Sequence, residues 1–369
     1  MKIEDAENLY YIGGIVRDEI LGKKSFDIDL TYIGNAIDFA KQLDDIEILK
    51  INEPFGTVKI KYKGNEIDIA STRAEIYEKD GHLPTVTRIG CSLKEDVLRR
   101  DFTINSLAKN YNSGEIIDYT GGLNDIKNRI IKVLHNKSFI EDPTRIIRAL
   151  KFAVRFNFEL EHETKILRDK YLENINYDMS YKRIKKELIE TFNLNFQNAY
   201  DEFISAKIYK LVTKHEIKKP NVNIQNFINK YANLINPQNI WLIYIGTLDE
   251  ISNLEATLTK EEKRIITDYK SLKNTALNTD FEIYQAFINC NTETILLYGI
   301  MCNKDTAEHY LNDLRHINLS INGQDLKTMG INPSPKYQEC FNFILKNKLN
   351  EKTLTREQEL NLAKKFFGI

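Results

Sequence analysis

The sequence predicts an α+β fold: a head of mixed sheet and helices over residues 1–137, then helices alone to residue 369. Three observations predict it. Strand and helix signals alternate in the first part. From about residue 138 onward apolar residues recur at helical spacing and Gly becomes rare. The chain is also too long for one compact core and fits two to four domains.

The elements follow in order. Residues 10–12, 26–30, 47–51, 56–62 and 66–70 read as strands, being short apolar or alternating runs bounded by turn residues. "KYKGNEID" predicts a hairpin turn at Gly64–Asn65. Residues 15–21 and 36–43 read as helices. "STRAEIYEKDGHLPTVTRIG" (71–90) is polar, holds Gly81 and Pro84, and has few apolar anchors, so it reads as a loop. The helical part runs through "TRIIRALKFAVRF", "YKRIKKELIETF" and "DEFISAKIYKLV". Joints fall at "KKPNVN" (218–223) and "INPSPKY" (331–337). Thr355 and Gln358 stand in a capping-box relation at the start of the last helix.

Composition excludes some classes. The chain is 42% apolar and 28% charged, which suits a globular protein. Its N-terminus is acidic and lacks the apolar stretch of a signal peptide. No apolar run approaches the roughly 20 residues of a membrane span. Cys91, Cys290, Cys302 and Cys340 are scattered without metal-ligand spacing and read as reduced thiols of a cytoplasmic protein. A net charge of −1 does not announce a nucleic-acid partner, but a basic face can be offset by acid elsewhere. No protein partner is evident.

"YYIGGIVRDEILGKKSFDIDL" (10–30) carries the first chemistry. In a strand, residues i and i+2 share a face. Asp27 and Asp29 therefore point together, opposite Phe26, Ile28 and Leu30. Adjacent carboxylates are tolerated when a divalent cation lies between them, and Mg2+ takes such carboxylates together with substrate phosphates. A solvated strand face would give the same pair. Ten or so residues earlier, a strand hands over to a helix at Gly13–Gly14, where backbone N–H groups can hold an anion. Arg17, one turn on, can add a charge-assisted bond. A tight turn alone would also need the Gly pair.

"GGIVRD…FDIDL" resembles the signature of the polymerase-β-like nucleotidyltransferase superfamily. More narrowly, the chain resembles the class II tRNA nucleotidyltransferase (CCA-adding) and bacterial poly(A) polymerase family. The narrower resemblance rests on "RRDFTIN" (99–105), "DYTGGLNDIKNRIIKVL" (118–134), "EDPTRIIRALKF" (141–152), "SYKRIKKEL" (180–188) and "INGQDLKTMGINPSPKY" (321–337), in the family's order over nearly the whole chain.

The resemblance implies a catalytic head at 1–137, a base-reading neck at 138–195, a body at 196–270 and a tRNA-binding tail at 271–369. It implies template-independent addition of C and/or A from CTP or ATP to a tRNA 3′ end, with release of pyrophosphate. Asp27 and Asp29 are then the catalytic carboxylates and hold Mg2+. Gly13, Gly14, Arg17 and Arg100 would hold the triphosphate, and Asp101 with Asn105 would orient the sugar or the neighbouring Arg. A-adding, CC-adding and poly(A)-adding enzymes share these motifs, and a non-catalytic relative would share the fold. Segment 71–90 would be the family's flexible loop, and its full length speaks against a CC-only enzyme. Asp68 is a minor candidate for a third carboxylate.

Base choice has its own chemistry. Asp142, Arg145 and Arg148 are spaced by three and share a helix face. An Asp beside an Arg offers an acceptor next to a donor. Cytosine and adenine both show an amino donor beside a ring-nitrogen acceptor and fit that edge; uracil and guanine reverse it. The resemblance implies this role for Asp142 and Arg145, with Arg148 in support. Asp142 before Pro143 is equally a good helix start. Lys151 stands where many relatives carry Arg; a phosphate contact survives that change and a bidentate one does not.

Overall fold

The computed structural model describes residues 1–25 and 27–369. They form two compact units, Met1–Lys214 and His215–Ile369.

The first unit is built on a sheet of seven strands: β1 (Leu9–Ile12), β2 (Ile28–Tyr32), β3 (Ile46–Asn52), β4 (Thr57–Tyr62), β5 (Asn65–Ser71) and two that follow the ribbon below. The ribbon pairs β6 (Arg73–Ile76) with β7 (Thr85–Ile89), antiparallel. The last two sheet strands are β8 (Leu107–Asn110) and β9 (Ile116–Asp118), giving the order β3-β4-β5-β2-β1-β8-β9. The β2–β5 pair is parallel, and the others in this sheet are antiparallel. The sheet is thus mixed, as expected.

Alternation fixes its two faces. Leu30, Val58, Ile60, Ile67 and Ile69 pack in one core with Ile37, Phe39 and Ala40 of helix α2 (Ala36–Lys41). Residues between them in sequence, including Asp29, Lys59 and Asp68, therefore face the other side. There lie α1 (Gly14–Ile20) and α3 (Leu93–Leu98), the latter held by a capping box between Ser92 and Glu95.

Three expectations shift. The β4–β5 turn is Lys63–Gly64, one residue earlier than expected; both have positive φ (47° and 82°), as a type I′ turn requires. Strand β2 starts at Ile28, so Asp27 precedes it, and the expected strand position at Phe26 lies outside the described residues. Segment 71–90 is the β6–β7 ribbon rather than a plain loop. Its sparse apolar content hid a ladder that closes through backbone bonds, with a register shift between Ala74 and Glu75.

The first unit continues through α4 (Gly122–Asn128), α5 (Ser138–Glu141), α6 (Thr144–Phe156), α7 (His162–Glu173), α8 (Tyr181–Phe192) and α9 (Gln197–Ser205), and the run expected to be helical alone is broken by a short strand, Glu159–Leu160, parallel to Ile130–Ile131. Phe152, Ile146, Ile147, Leu150 and Phe156 of α6 are buried. The second unit is helical among its described residues, as expected. It ends with α10 (Ile224–Lys230) through α16 (Lys304–Asn312), then α17 (Gly323–Thr328), α18 (Lys336–Glu351) and α19 (Arg356–Phe367). The Thr355–Gln358 capping box forms. Buried Glu359 ties α19 to Lys348 of α18 and to the backbone N–H groups of Ser320 and Ile321. Among the described residues no helix is long and apolar enough to cross a membrane. All four Cys are free thiols.

Candidate active site

Strand register builds the first wall of the site. Lys59 of β4 stands opposite Asp68 of β5, and Asp68 stands opposite Asp29 of β2. The three side chains form one row across three adjacent strands. Lys59 Nζ lies 3.1 Å from Asp68 Oδ2. Burial, then the charges of Asp68 and Asp27, push the Asp29 carboxyl above the usual carboxylate range. Asp27 is exposed, outside the strand, yet close enough for its charge to be felt at Asp29.

The second wall is the turn into α1. Gly13 has φ of +72° and its N–H is bonded to the Leu107 carbonyl. A Cβ there would stand 2.9 Å from Arg100 Nη1. Gly is therefore needed twice over: for the left-handed backbone and for the approach of Arg100. Gly14 is helical, and a Cβ would meet Arg17 Nη2 at an ordinary 3.5 Å.

Arg17 is buried and fixed from three sides. Nε and Nη2 donate to Asp18 Oδ1 at 2.9 and 2.7 Å, Nη1 donates to Asn105 Oδ1, and the guanidinium lies over the rings of Phe152 and Phe156. Burial pushes its pKa down, offset in part by Asp18. Asn105 Nδ2 donates to Asp101 Oδ1 at 3.0 Å. Asp101 Oδ2 accepts two bonds from Arg148, from Nε at 2.8 Å and Nη2 at 2.7 Å. Burial works against the Asp101 charge, but Arg148 and Asn105 outweigh it and hold the carboxyl at about 2. Arg148 also pairs with Glu187 of α8, which pairs with Lys151, which reaches Glu190 at 2.6 Å. One polar chain thus runs from α1 through "RRDFTIN" and α6 to α8. Lys151 sits between two carboxylates, so much of its charge is already matched.

Arg99 and Arg100 share Asp96, which is 1% exposed. Arg100 Nε is buried with no hydrogen-bond partner, and burial lowers its pKa. An unspent guanidinium N–H at a cleft wall fits an anion.

The structure brings Gly13, Gly14, Arg17, Asp29, Arg100, Asp101, Asn105, Arg148 and Lys151 into the lining of one cleft of about 750 Å³. Asp68, Arg73, Arg99, Phe152, Arg155 and Glu190 line it too. Seven cationic side chains face four carboxylates there, a balance that suits a polyanion. Asp27, Asp142 and Arg145 are not in this lining. Asp27 is exposed; Asp142 and Arg145 are buried, and each is spent elsewhere. Asp142 accepts from the Thr144 N–H at 3.2 Å and pairs with Arg183 of α8. Arg145 donates to Ser138 Oγ, the Tyr77 hydroxyl and the Arg99 carbonyl.

Sequence reading missed Arg73, Arg99 and Arg155 as parts of this cleft, and Asp96 as the buried carboxylate that holds Arg99 and Arg100. Asp96 was findable, since it precedes Arg99 and Arg100 by three and four residues on a helix. The Lys59–Asp68–Asp29 row was not, because it depends on which strands become neighbours.

Among the described residues no three His, Cys, Asp or Glu side chains converge closely enough to hold a metal by themselves. The carboxylates fit a cation that takes further oxygens from its substrate. Asp29 stands beside two like charges that a divalent ion would neutralise.

Residues 9–132 match the family model of the poly A polymerase head domain. The A-adding tRNA nucleotidyltransferase of Geobacter sulfurreducens is 30% identical over 96% of this chain and 44% of its own length. The enzyme of the same name from Aquifex aeolicus is 38% identical over 55% of this chain and 27% of its own. This chain therefore spans less than half the length of either. That of Halalkalibacterium halodurans is 26% identical over 98% and 89%. Among solved structures, a CCA-adding enzyme in its apo form II is 26% identical with a TM-score of 0.80, covering 96% of this chain and 90% of that one. The Thermotoga maritima CCA-adding enzyme complexed with tRNA is 25% identical with a TM-score of 0.76, covering 98% and 91%.

Proposed function

We infer that this chain belongs to the class II tRNA nucleotidyltransferase and bacterial poly(A) polymerase family, on the matching head domain and the similar enzymes and structures. It transfers a nucleotidyl group from CTP or ATP to the 3′-OH of tRNA, without a template. The 3′ oxygen attacks the α-phosphorus, the α–β phosphoanhydride bond breaks, pyrophosphate leaves, and the hydroxyl proton is released. The observation that carries this reading is the cleft in which Asp29, the Gly13–Gly14 turn and a surplus of guanidinium groups share one lining.

Asp27 and Asp29 would hold Mg2+. When bound, such an ion lowers the pKa of the attacking hydroxyl and neutralises charge on the phosphates. Arg100 and Arg17 bind the triphosphate. Gly13 keeps the wall open for it. Asp101 and Asn105 hold Arg17 and Arg148 in place, and through them the sugar side of the nucleotide. Asp142 and Arg145 read the base, in competition with the internal partners that each already has. Lys151 supports Glu187 and Glu190 more than it supports a phosphate.

The division into head (1–137), neck (138–195), body (196–270) and tail (271–369) belongs to this proposal, with tRNA gripped by the tail and the work done in the cytoplasm. A second reading, addition of A alone, is favoured by the names of three curated relatives, while others are named CCA-adding enzyme. One experiment tests both. tRNA transcripts lacking CCA, ending in CC, or complete are incubated with each labelled nucleoside triphosphate singly and in mixtures. C incorporation on the shortest transcript supports CCA addition. A incorporation on the CC transcript alone supports the second reading. Failure to extend any tRNA overturns both.

A further inference from the structure

Three cations gather around one ring beside the cleft. Phe156, at the end of α6, has Arg17 at 4.5 Å from its ring centre, Lys23 at 4.8 Å and Arg155 at 5.2 Å. One carboxylate serves them: Asp18 is bonded twice to Arg17 and lies 3.6 Å from Arg155. Lys23 donates to the Arg155 carbonyl at 3.3 Å and has no carboxylate partner among the described residues. The Arg155 side chain is 44% exposed and lines the cleft. Arg17 is buried and bonded to Asp18 and Asn105 beside the triphosphate wall; Lys23 and Arg155 are outward-facing and in excess of the local negative charge. Backbone geometry holds Lys23 there. Gly22, with φ of +65°, turns the chain after α1, and the Lys23 N–H bonds the Asp18 carbonyl at 2.8 Å. Four residues later the chain reaches Asp27.

We propose that Lys23 and Arg155 form a binding site for the phosphodiester backbone of the RNA strand that delivers the 3′-OH. This rests on the nucleotidyl-transfer reading. The attacking hydroxyl must reach the α-phosphate beside Asp27 and Asp29, so the last phosphodiesters of its strand pass the mouth of the same cleft. Arg100 and the Gly13–Gly14 turn are available to the triphosphate. Two adjacent exposed cations fixed on an aromatic ring suit a backbone phosphate, which they would position without reading sequence.

The test measures binding of a fluorescent RNA hairpin ending in a single-stranded 3′ overhang, by anisotropy over a range of salt, to the full chain and to Lys23→Glu/Arg155→Glu. At about 0.1 M salt the double variant should bind RNA tenfold or more weakly, with the log–log salt slope smaller by about 1.4, as for two single-strand phosphates. Lys23→Arg/Arg155→Lys should restore both. KM for the RNA should rise with Kd, while KM for the nucleoside triphosphate moves less than twofold. Unchanged RNA affinity and slope would overturn the proposal. So would a rise confined to the triphosphate KM, which would assign the cluster to the nucleotide. If the charge reversal unfolds the chain, the two single Ala variants carry the same measurement, each with half the slope change. Binding needs no turnover. An RNA effect in a protein that extends no tRNA would therefore sink the nucleotidyl-transfer reading and leave the RNA site standing.

Discussion

Asp29 and Asp68 stand opposite each other across the parallel pair of strands β2 and β5. Lys59 closes the row on the Asp68 side at 3.1 Å, and the Asp29 side faces Asp27. Charge compensation is therefore lopsided. Asp68 has a lysine in contact, while at Asp29 burial and two like charges outweigh the opposing charges of Arg100 and Lys59. That asymmetry marks Asp29, rather than Asp68, as the carboxylate that a bound cation would relieve most.

A consequence is testable without a metal. The raised pKa means that the folded chain holds a proton on Asp29 more tightly than the unfolded chain does. Its contribution is fully present below the unfolded carboxylate value of about 3.9 and is lost as pH rises through the folded value. Asp29→Asn stays neutral throughout. Its melting temperature should therefore exceed the parent's at pH 8, with the gap closing towards pH 4. Nucleotide addition should fall by about a hundredfold or more, the scale on which loss of one charge-stabilising group acts. A gap that stays constant with pH would show that Asp29 is not under charge strain.

Asp101 runs the opposite way. Its carboxyl is held at about 2, so it stabilises the fold above about pH 4, and that contribution fades as pH falls towards 2. The shift corresponds to roughly 2 kcal/mol at neutral pH. Asp101→Asn should lower the urea unfolding free energy by about that amount at pH 7 and by roughly half as much at pH 3. Equal losses at both would mean that Arg148 does not depend on the Asp101 charge.

The two glycines of the turn should not be equivalent. Gly14→Ala adds a Cβ in ordinary contact within a helix, and should change little. Gly13→Ala meets both a positive φ and Arg100 Nη1 at 2.9 Å. It should raise KM for ATP and CTP about tenfold, with a stability cost of about 1–3 kcal/mol from a positive-φ backbone (φ 72°, ψ −120°) that Gly adopts readily. Steady-state kinetics on the two variants decides; equal effects would remove Gly13 from the nucleotide wall.

Local patterns in the sequence were readable where neighbours in the chain stayed neighbours in space. The alternation that buries Leu30 and frees Asp29, the Thr355–Gln358 cap and the helical period of α6 are of that kind. Three features were not readable, two because they depend on distant pairing and the β6–β7 ribbon because its apolar content is sparse. Lys59 and Asp68 meet Asp29 only once β4, β5 and β2 line up. The β6–β7 ribbon is tied to the rest of the unit by Gly81, whose N–H bonds the Glu141 carbonyl and whose carbonyl accepts the Ser180 N–H. Lys151 finds Glu187 and Glu190 on a helix some forty residues on. Asp142, Arg145 and Arg148 were expected to act from one face. The structure gives Arg148 to the cleft and turns the other two onto Arg183, Ser138 and Tyr77.

That last arrangement sets up a test of base reading. Asp142 offers an acceptor to an amino group only if Arg183 releases one of its oxygens. Arg145 already spends both Nη2 hydrogens, so that nitrogen donates to a base only if Tyr77 or the Arg99 carbonyl gives way. Unpaired buried groups are what make a matched site discriminate, since the wrong base leaves them unsatisfied. Asp142→Ala with Arg145→Ala should therefore admit UTP and GTP, while KM for the triphosphate portion changes little. Arg183→Ala should do something different. It should leave C and A preferred but weaken that preference, because Asp142 loses the group that aims it. Incorporation of all four nucleotides by the parent and both variants separates the cases. If the double variant still rejects U and G while extending RNA, Asp142 serves only as the helix start that its bond to the Thr144 N–H already makes it.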